Sequence, residues 1–222
     1  MADSIKYQAI LFDLDGTLLD TLEDLADSMN AALARQNFPV HPVEKYRYFV
    51  GGGVRELAKR VLPPEHRDDA TVAVSVEQLS AEYSKRWDCK TRPYPGMEAA
   101  LDGLTVAGAK LAVLSNKPDP FTKMIIPALL PRWNFHPIVG ARPGVPVKPN
   151  PQAALEIASL LGIAPDHFLY VGDAGTDMRT ATAAGMHAVG VTWGFRTLEE
   201  LLQNGAQSIV NRPDELLKLF KP

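Results

Sequence analysis

The chain has 222 residues, a length that fits one large domain or two small ones. Its residues are 46% hydrophobic and 22% charged, the composition of an ordinary globular protein with a substantial core. The net charge of −3 provides no basic surface for nucleic acid, and the single cysteine, Cys89, excludes an internal disulfide framework.

Hydropathy indicates neither a signal peptide nor a membrane span, because no apolar run is long enough for either. A lone cysteine also fits a reducing compartment. We therefore expect a cytoplasmic protein that works as a monomer or homodimer, with neither nucleic acid nor membrane as a partner.

The first predicted element is a buried strand that runs directly into acidic residues. The segment AILFDLDGTLLD (9–20) begins with apolar residues and continues into Asp13, Asp15 and a Gly-Thr turn. Asp-Gly is a common way to leave a strand, so a simple turn is one interpretation. The other is a site that needs one carboxylate as nucleophile and a second as proton carrier.

Residues 21–88 favour helices and contain no convincing strand. Asp20 and Glu23 have the spacing of a capping box, which predicts a helix that starts near residue 21. Apolar residues at helical spacing, together with glycine and proline breaks, predict four helices. They lie over 21–36, near 42–48, after Gly53 to about Leu62, and over about 69–87.

From RPYPGM (92–97) onward the pattern changes to short apolar runs that alternate with helical segments. The runs predict strands at 110–115, 137–140, 168–172, 187–191 and 208–210. Such alternation is typical of an α/β fold with a mainly parallel sheet. We expect a core domain formed by residues 1–19 and 90–222, with a helical domain, residues 20–89, inserted after the first strand.

Chemically suitable residues follow the ends of several predicted strands. Ser115 and Asn116 end the second strand of the core, and GDAGTD, which contains Asp173 and Asp177, follows a later one. Lys148 lies between them in the proline-rich loop VPVKPNP. Open α/β sheets bind ligands at the carboxyl ends of their strands, so these residues are expected to converge. The stretches differ in specificity: FDLDGT alone already favours function, whereas the others are weak or ambiguous separately. Their combination favours a catalytic site over a turn.

The same stretches resemble, in order, the four motifs of the haloacid dehalogenase superfamily phosphatases: DLDGT, Ser115, Lys148 and GDAGTD. The resemblance covers nearly the whole chain and implies a Rossmann-like, mainly parallel sheet flanked by helices, with an inserted α-helical cap of type one. PYPGM, SNKP, VPVKPNP and GVTWGF are similar to the phosphoglycolate phosphatase subgroup. The sequence departs at Ala174, where many relatives have serine, and at Ser115, where the subgroup often has threonine.

Phosphomonoester hydrolysis gives the paired acids separate roles. Asp13 would attack phosphorus and form an aspartyl-phosphate. Asp15 would protonate the leaving alkoxide and then deprotonate the hydrolytic water. Gly16 would allow the tight exit from the strand, and Thr17 is expected to hold Asp15 in position.

Four carboxylates against one lysine imply a bound cation, because the pocket would otherwise repel phosphate. A hard divalent ion with oxygen ligands, Mg²⁺, fits best. The resemblance implies Asp13, the backbone carbonyl of Asp15, and Asp173 as direct ligands. It gives Asp177 one of two roles, as a ligand through water or as the group that orients Lys148.

The resemblance also assigns the phosphate contacts. Ser115 and the backbone amide of Asn116 would hold phosphoryl oxygens. Lys148 would bridge Asp13 and the phosphate, so it is both a catalytic and a phosphate-binding residue. The substrate is expected to be a small phosphorylated metabolite.

The segment FVGGGVRELAKR (49–60) is the candidate for substrate specificity. Gly52 and Gly53 would expose backbone amides at a helix start, and Arg55 could bind a carboxylate. 2-Phosphoglycolate, with a phosphate at one end and a carboxylate at the other, suits this arrangement. The alternative interpretation is a tight turn between helices with a solvated arginine.

Other activities share much of this pattern. Phosphatases of sugar phosphates, nucleotides or pyrophosphate, and sugar phosphomutases, would use the same core residues. A phosphonoacetaldehyde hydrolase would need a lysine in the cap, for which Lys59 is the weak candidate. A dehalogenase needs no second acid, so Asp15 argues against it. A catalytically inactive binding protein is disfavoured because all four acids and Lys148 are present.

Overall fold

The computed structural model describes residues 7–220. Eight strands occur in this range: β1 Ala9–Phe12, β2 Leu19–Asp20, β3 Arg92–Pro93, β4 Lys110–Pro118, β5 Phe135–Ala141, β6 Phe168–Gly172, β7 His187–Val191 and β8 Ser208–Val210. The accompanying helices are α1 Leu22–Arg35, α2 Tyr46–Phe49, α3 Val54–Val61, α4 Asp69–Tyr83, α5 Met97–Val106, α6 Asp119–Leu129, α7 Gln152–Leu161, α8 Gly175–Ala184, α9 Leu198–Gln203 and α10 Glu215–Phe220.

Six strands form one parallel sheet in the order β5-β4-β1-β6-β7-β8. The chain builds outward from β1 on one side through β4 and β5, and on the other side through β6, β7 and β8. The strand order therefore reverses at β1, and ligands of open α/β sheets bind at such a reversal point. The predicted α/β class and mainly parallel sheet are confirmed.

The side chains of β1 alternate between the two faces of the sheet, and helices cover both faces. Ile10 and Phe12 pack into one hydrophobic cluster, whereas Ala9 and Leu11 pack into a second cluster on the opposite face of the sheet. Helices α5, α6 and α10 contribute to the first cluster, and α7, α8 and α9 contribute to the second. A strand with both faces covered needs apolar residues at every position, which is why β1 reads as a continuous hydrophobic run.

The predicted strands are all present, but two of them are longer than expected. β4 continues to Pro118 instead of ending at Ser115, and β5 begins at Phe135 instead of residue 137. The extension of β4 places Ser115, Asn116 and Lys117 in extended backbone where the strands reach their carboxyl ends. All three side chains are buried there.

Helices α1 to α4, here called the helical segment, agree with the predicted pattern except at their ends. The helix expected over about 69–87 stops at Tyr83. The capping box expected from Asp20 and Glu23 does not form: Thr21 is the N-cap, and Asp20 only accepts a hydrogen bond from the Leu22 amide, at 3.2 Å. The Thr21 hydroxyl makes no cap bond, and it donates to Asp15 at 2.7 Å.

The helical segment is joined to the sheet through a short antiparallel ladder that the sequence did not predict. In this ladder, Leu19 of β2 pairs with Pro93 of β3, and Asp20 pairs with Arg92. The chain thus enters and leaves the helical segment side by side. None of the helices found in residues 7–220 has the length and apolar character that crossing a bilayer requires.

Candidate active site

The predicted site residues converge at the carboxyl ends of three adjacent strands. Asp13 follows β1, Asp173 follows β6, and Ser115 and Asn116 lie near the end of β4. Because β4, β1 and β6 are neighbours in a parallel sheet, their carboxyl ends meet at one edge. The side chains of these four residues are buried there.

Lys148 connects the acidic residues of the site through its side chain. Its Nζ lies 2.8 Å from Asp13 Oδ1 and 2.7 Å from Asp177 Oδ1, and it donates to the Leu114 carbonyl at 3.1 Å. Asn116 holds the lysine's loop at the sheet edge: its Oδ1 accepts from the Lys148 amide at 2.9 Å, and its Nδ2 donates to the Lys148 carbonyl at 3.2 Å. A residue from a distant loop is thereby fixed between two acids.

Asp13, Asp173 and Asp177 form a buried cluster whose nearest carboxylate oxygens all lie within 4.8 Å of one another. Burial raises the pKa of Asp13 to about 7, although the charge of Lys148 opposes the shift. Burial, and then the charges of Asp177 and Asp13, raise the pKa of Asp173 to about 8. Buried carboxylates of one sign are costly without a counter-charge, and oxygen donors at this density fit a hard divalent cation.

Asp173 is held by its neighbours in an orientation towards this cluster. The Phe195 amide donates to Oδ2 at 2.7 Å, and the Thr17 hydroxyl donates to Oδ1 at 3.3 Å. Thr17 was expected to hold Asp15, so its partner differs from the prediction. Gly16 has φ +83°, and a methyl group on it would collide with the Asp173 carboxylate. A glycine is therefore needed where the chain turns past this acid.

Asp15 lies outside the three-carboxylate cluster and is held by residues that the sequence analysis did not assign to the site. Lys117 Nζ donates to Asp15 Oδ1 at 2.8 Å and to Oδ2 at 3.2 Å, and Thr21 adds its hydrogen bond to Oδ1. Lys117 also lies over the ring of Tyr83 in α4, 4.6 Å from the centroid. Burial alone would lower the pKa of Lys117, but the charge of Asp15 raises it above its ordinary value.

The glycine-rich loop before α3 reaches the site only in part. Gly51 and Gly53 line the cavity, and the Gly51 carbonyl accepts from Asn116 Nδ2 at 3.0 Å; Gly52 is not among the lining residues. Gly53 has φ +86°, and a methyl group there would lie 3.3 Å from the Asn116 carbonyl oxygen.

Arg55 is not brought into the site. It pairs with Asp69 at 2.8 Å, and the two side chains are 54% and 88% exposed. Val54 lines the cavity instead. Successive residues point about 100° apart around a helix, so the side chain after Val54 is turned away from the cavity.

A cavity of about 50 Å³ separates the sheet edge from the helical segment. The helical segment contributes Leu25, Val50, Gly51, Gly53, Val54 and Leu57 to its walls. The sheet edge contributes the carboxylates of Asp13, Asp15 and Asp173, and also Phe195 and Arg196, which the sequence analysis missed. The small volume suits a small ligand, and the three carboxylates in the walls favour an anionic one only when a cation offsets their charge.

Two arginines tie the helical segment to the core around this cavity. Arg47 donates to the Gly194 carbonyl at 3.1 Å, and Arg196 Nη2 donates to the Val50 carbonyl at 2.7 Å. Together with the bond from Asn116 to Gly51, these contacts keep the helical segment against the site in this structure.

Residues 10–191 match the family model described as haloacid dehalogenase-like hydrolase. A phosphoglycolate phosphatase of Aquifex aeolicus is 32% identical over 213 residues, which cover 96% of this chain and 96% of that protein.

Solved structures of similar proteins share the fold of this chain. A protein from Lactobacillus delbrueckii subsp. bulgaricus matches with a TM-score of 0.90 and 30% identity, over 97% of this chain and 98% of that one. A predicted phosphoglycolate phosphatase from Haemophilus somnus matches with a TM-score of 0.88 and 27% identity, over 97% and 99% of the two chains. The chain belongs to the haloacid dehalogenase-like hydrolases.

Proposed function

We propose that this chain is a Mg²⁺-dependent phosphomonoesterase that acts through an aspartyl-phosphate on Asp13, with 2-phosphoglycolate as its substrate. One observation carries the proposal: Lys148 Nζ lies between Asp13 and Asp177, at 2.8 and 2.7 Å, inside a buried three-carboxylate cluster. A nucleophilic carboxylate beside a fixed cation and a cation-binding cluster is the arrangement that phosphoryl transfer needs.

Asp13 supplies the nucleophile. Its Oδ1 is held by Lys148 and by the Leu14 amide, which donates at 2.7 Å, and neither donor engages Oδ2. Oδ2 is therefore the oxygen that attacks phosphorus as the bond to the leaving alkoxide breaks. Ser115 and the Asn116 amide hold the phosphoryl oxygens, and Lys148 compensates their charge.

Asp15 carries the proton in both half-reactions. It first gives a proton to the leaving alkoxide, and it then takes one from the water that attacks the aspartyl-phosphate. The second step releases inorganic phosphate and restores the Asp13 carboxylate. Lys117 and Thr21 keep Asp15 oriented beside the cavity, which general acid–base catalysis requires.

The acidic cluster supports the cofactor assignment. Asp13, the backbone carbonyl of Asp15, and Asp173 would hold Mg²⁺, with Asp177 fixing Lys148. The bound ion would neutralise charge on the transferring phosphoryl group. The raised pKa values of Asp13 and Asp173 fit this role, because a cation is what returns such buried acids to their ionised form at neutral pH.

Residues 20–89 would act as a cap over the site, on a core formed by residues 1–19 and 90–222. The cavity at their junction would limit the size of the leaving alcohol, and a bound substrate would displace water from it. The name of the Aquifex aeolicus relative supports 2-phosphoglycolate as the substrate. Cytoplasmic residence is supported by the free, exposed thiol of Cys89.

Phosphate release from a panel of small phosphate esters tests the proposal, with Mg²⁺ and with a chelator. We expect preferential hydrolysis of 2-phosphoglycolate, lost with the chelator and in Asp13→Asn. Asp102→Asn is the matched control, since Asp102 pairs on the surface with Arg132. Acid-quenched wild-type enzyme should carry one phosphoryl group on the peptide that contains Asp13.

The possible results separate the parts of the proposal. Equal, Mg²⁺-dependent hydrolysis of all esters would retain the phosphatase and overturn the substrate. Full activity in Asp13→Asn would overturn the nucleophile. No release from any ester by folded protein would overturn the proposed function as a whole.

A further inference from the structure

Arg196 occupies an unusual position in the cavity wall. It follows Phe195 in the loop after β7, and its side chain is only 11% exposed. Its Nη2 donates to the Val50 carbonyl in the helical segment, and its Nε lies 3.5 Å from Glu200 Oε1. Its Nη1 is buried and has no hydrogen-bond partner among residues 7–220.

A buried donor on a charged group is unfavourable unless an acceptor reaches it, so an unpartnered one in a native structure needs an explanation. Glu200 does not provide it, because its contact is with Nε and the same Oε1 accepts from the Gly175 amide at 3.1 Å. Arg196 lines the adjoining cavity, so an acceptor on a ligand bound there is the candidate partner of Nη1.

The other cations at the site are already engaged. Lys148 is paired with Asp13 and Asp177, and Lys117 is paired with Asp15. Of the two cations that line the cavity, Lys117 and Arg196, the second is the one with an uncommitted donor. A second anionic group on the substrate, remote from the phosphoryl group, would find its partner there.

We propose that Arg196 is the specificity-determining residue that binds the carboxylate of the substrate while the phosphoryl group lies at Asp13. This assignment rests on the proposed function and deepens it. A guanidinium suits the task because its planar set of donors matches the geometry of a carboxylate. Arg196, which the core supplies, takes the role that the sequence suggested for Arg55.

The bond from Arg196 to Val50 gives this recognition a second effect. Val50 directly precedes the glycine loop that lines the cavity. A carboxylate on Nη1 therefore binds the same guanidinium that holds the helical segment closed. Substrates with a carboxylate would be retained in the closed state, whereas those without one would lack this contact.

The test compares 2-phosphoglycolate with 2-hydroxyethyl phosphate, in which a neutral hydroxymethyl group replaces the carboxylate. In Arg196→Gln, we expect kcat/KM for 2-phosphoglycolate to fall roughly 100-fold, since a buried charged partner is lost, and that for 2-hydroxyethyl phosphate to change only a few-fold. Arg132→Gln, at a surface arginine paired with Asp102, is the matched control and should leave both values unchanged.

The ratio of the two kcat/KM values separates recognition from structure, because a merely structural role would lower both values together. Arg196→Lys, which keeps the charge but loses the planar donors, should show an intermediate ratio and serves if the glutamine variant does not fold. An unchanged ratio in the folded variants would overturn the role of Arg196 while wild-type activity still upholds the proposed function.

Two further results would also overturn the inference. One is loss of the preference in Arg55→Gln with its retention in Arg196→Gln. The other is a wild-type enzyme that hydrolyses both esters equally well, which would leave the phosphatase in place without carboxylate recognition. Absence of hydrolysis of either ester by folded wild-type protein would instead mark failure of the proposed function.

Discussion

Lys117 Nζ contacts both carboxylate oxygens of Asp15, at 2.8 Å from Oδ1 and 3.2 Å from Oδ2. The lysine comes from the end of β4 and the aspartate from the turn after β1, so the pair joins two neighbouring strands through their side chains. The Tyr83 ring covers the ammonium from the helical segment. The proposed proton carrier is therefore oriented by the core and shielded by the helical segment.

Lys117→Met should lower kcat roughly 10- to 100-fold, because Asp15 keeps its carboxyl group but loses the donor that orients both oxygens. Steady-state phosphate release at saturating Mg²⁺ measures the effect. Lys123→Met is the control, because Lys123 pairs with Asp119 at the protein surface. Wild-type kcat in Lys117→Met would show that Thr21 alone positions Asp15.

The ion pair of Lys117 with Asp15 should also contribute to the free energy of unfolding. Lys117→Met leaves a largely buried carboxylate without its cation and should lower the free energy of unfolding by about 3 kcal/mol. Adding Asp15→Asn removes the unpaired charge, so the double variant should be more stable than Lys117→Met alone. Urea unfolding of Lys117→Met, Asp15→Asn and the double variant, beside wild type, measures the coupling, and strictly additive losses would contradict it.

Metal-free protein should lose stability as the pH rises from about 5 to 8. Burial raises the pKa of Asp13 to about 7 and that of Asp173 to about 8, whereas both ionise near 4 in the unfolded chain. Over this range the folded state binds more protons, so the free energy of unfolding falls with increasing pH. Thermal unfolding in the presence of a chelator, at several pH values, measures how steeply stability falls with increasing pH. The fall should be less steep in Asp173→Asn.

Mg²⁺ should reverse that loss, and more strongly at pH 8 than at pH 5.5, because it competes with protons for the same carboxylates. Saturation at 100 times Kd contributes about 2.7 kcal/mol, a rise in Tm of roughly 5 to 10 °C for a chain of this size. Thermal unfolding with and without Mg²⁺ at the two pH values tests this. An equal rise at both would contradict binding by these acids.

Gly16→Ala should destabilise the protein and abolish the Mg²⁺-dependent rise in Tm. The substitution places a side chain at φ +83° and drives it into the Asp173 carboxylate. Gly108→Ala is a closely matched control, since Gly108 has φ +85° and open space around it. The control should lose only the backbone cost, about 1 to 2 kcal/mol. An equal loss of unfolding free energy in Gly16→Ala and Gly108→Ala, measured in urea, would show that the structure relieves the collision with Asp173.

Asp24 is predicted to be a structural anchor of the helical segment. It is buried in α1 and accepts from the Lys90 amide, the Thr91 amide and the Thr91 hydroxyl, at 2.8 to 3.1 Å. Asp24→Ala leaves these donors unsatisfied and should cost roughly 2 to 4 kcal/mol. Amide hydrogen exchange at residues 90 and 91 should accelerate with it. Glu77→Ala, at an exposed position of α4, should change neither property.

Much of the site could be predicted because its signals are local. Asp13 and Asp173 directly follow apolar strands, and parallel strands bring their carboxyl ends together whatever the details of packing. Lys148 was found through its proline-rich loop. In each case a few adjacent residues carried both the structural and the chemical signal.

The missed residues depend on tertiary structure. Arg55 was chosen because it is near the glycine loop in sequence, yet the helix turns it towards solvent. Arg196 reaches the same loop from a position 146 residues beyond Val50, which no local pattern indicates. Thr17 was expected to hold Asp15 but donates to Asp173, and Thr21, which had no expected role, holds Asp15 instead. Both hydroxyls follow the paired acids in sequence, and only the fold decides which acid each one reaches.

The ladder between β2 and β3 has a consequence for how such enzymes diverge. The whole helical segment leaves and rejoins the chain at two paired positions, Leu19 with Pro93 and Asp20 with Arg92. Insertions, deletions or replacement of the stretch between them leave the register of the parallel sheet unchanged. Selection can thus exchange the cavity walls that the helical segment supplies while the proposed phosphoryl-transfer residues stay in place, so new substrates are reached with the same chemistry.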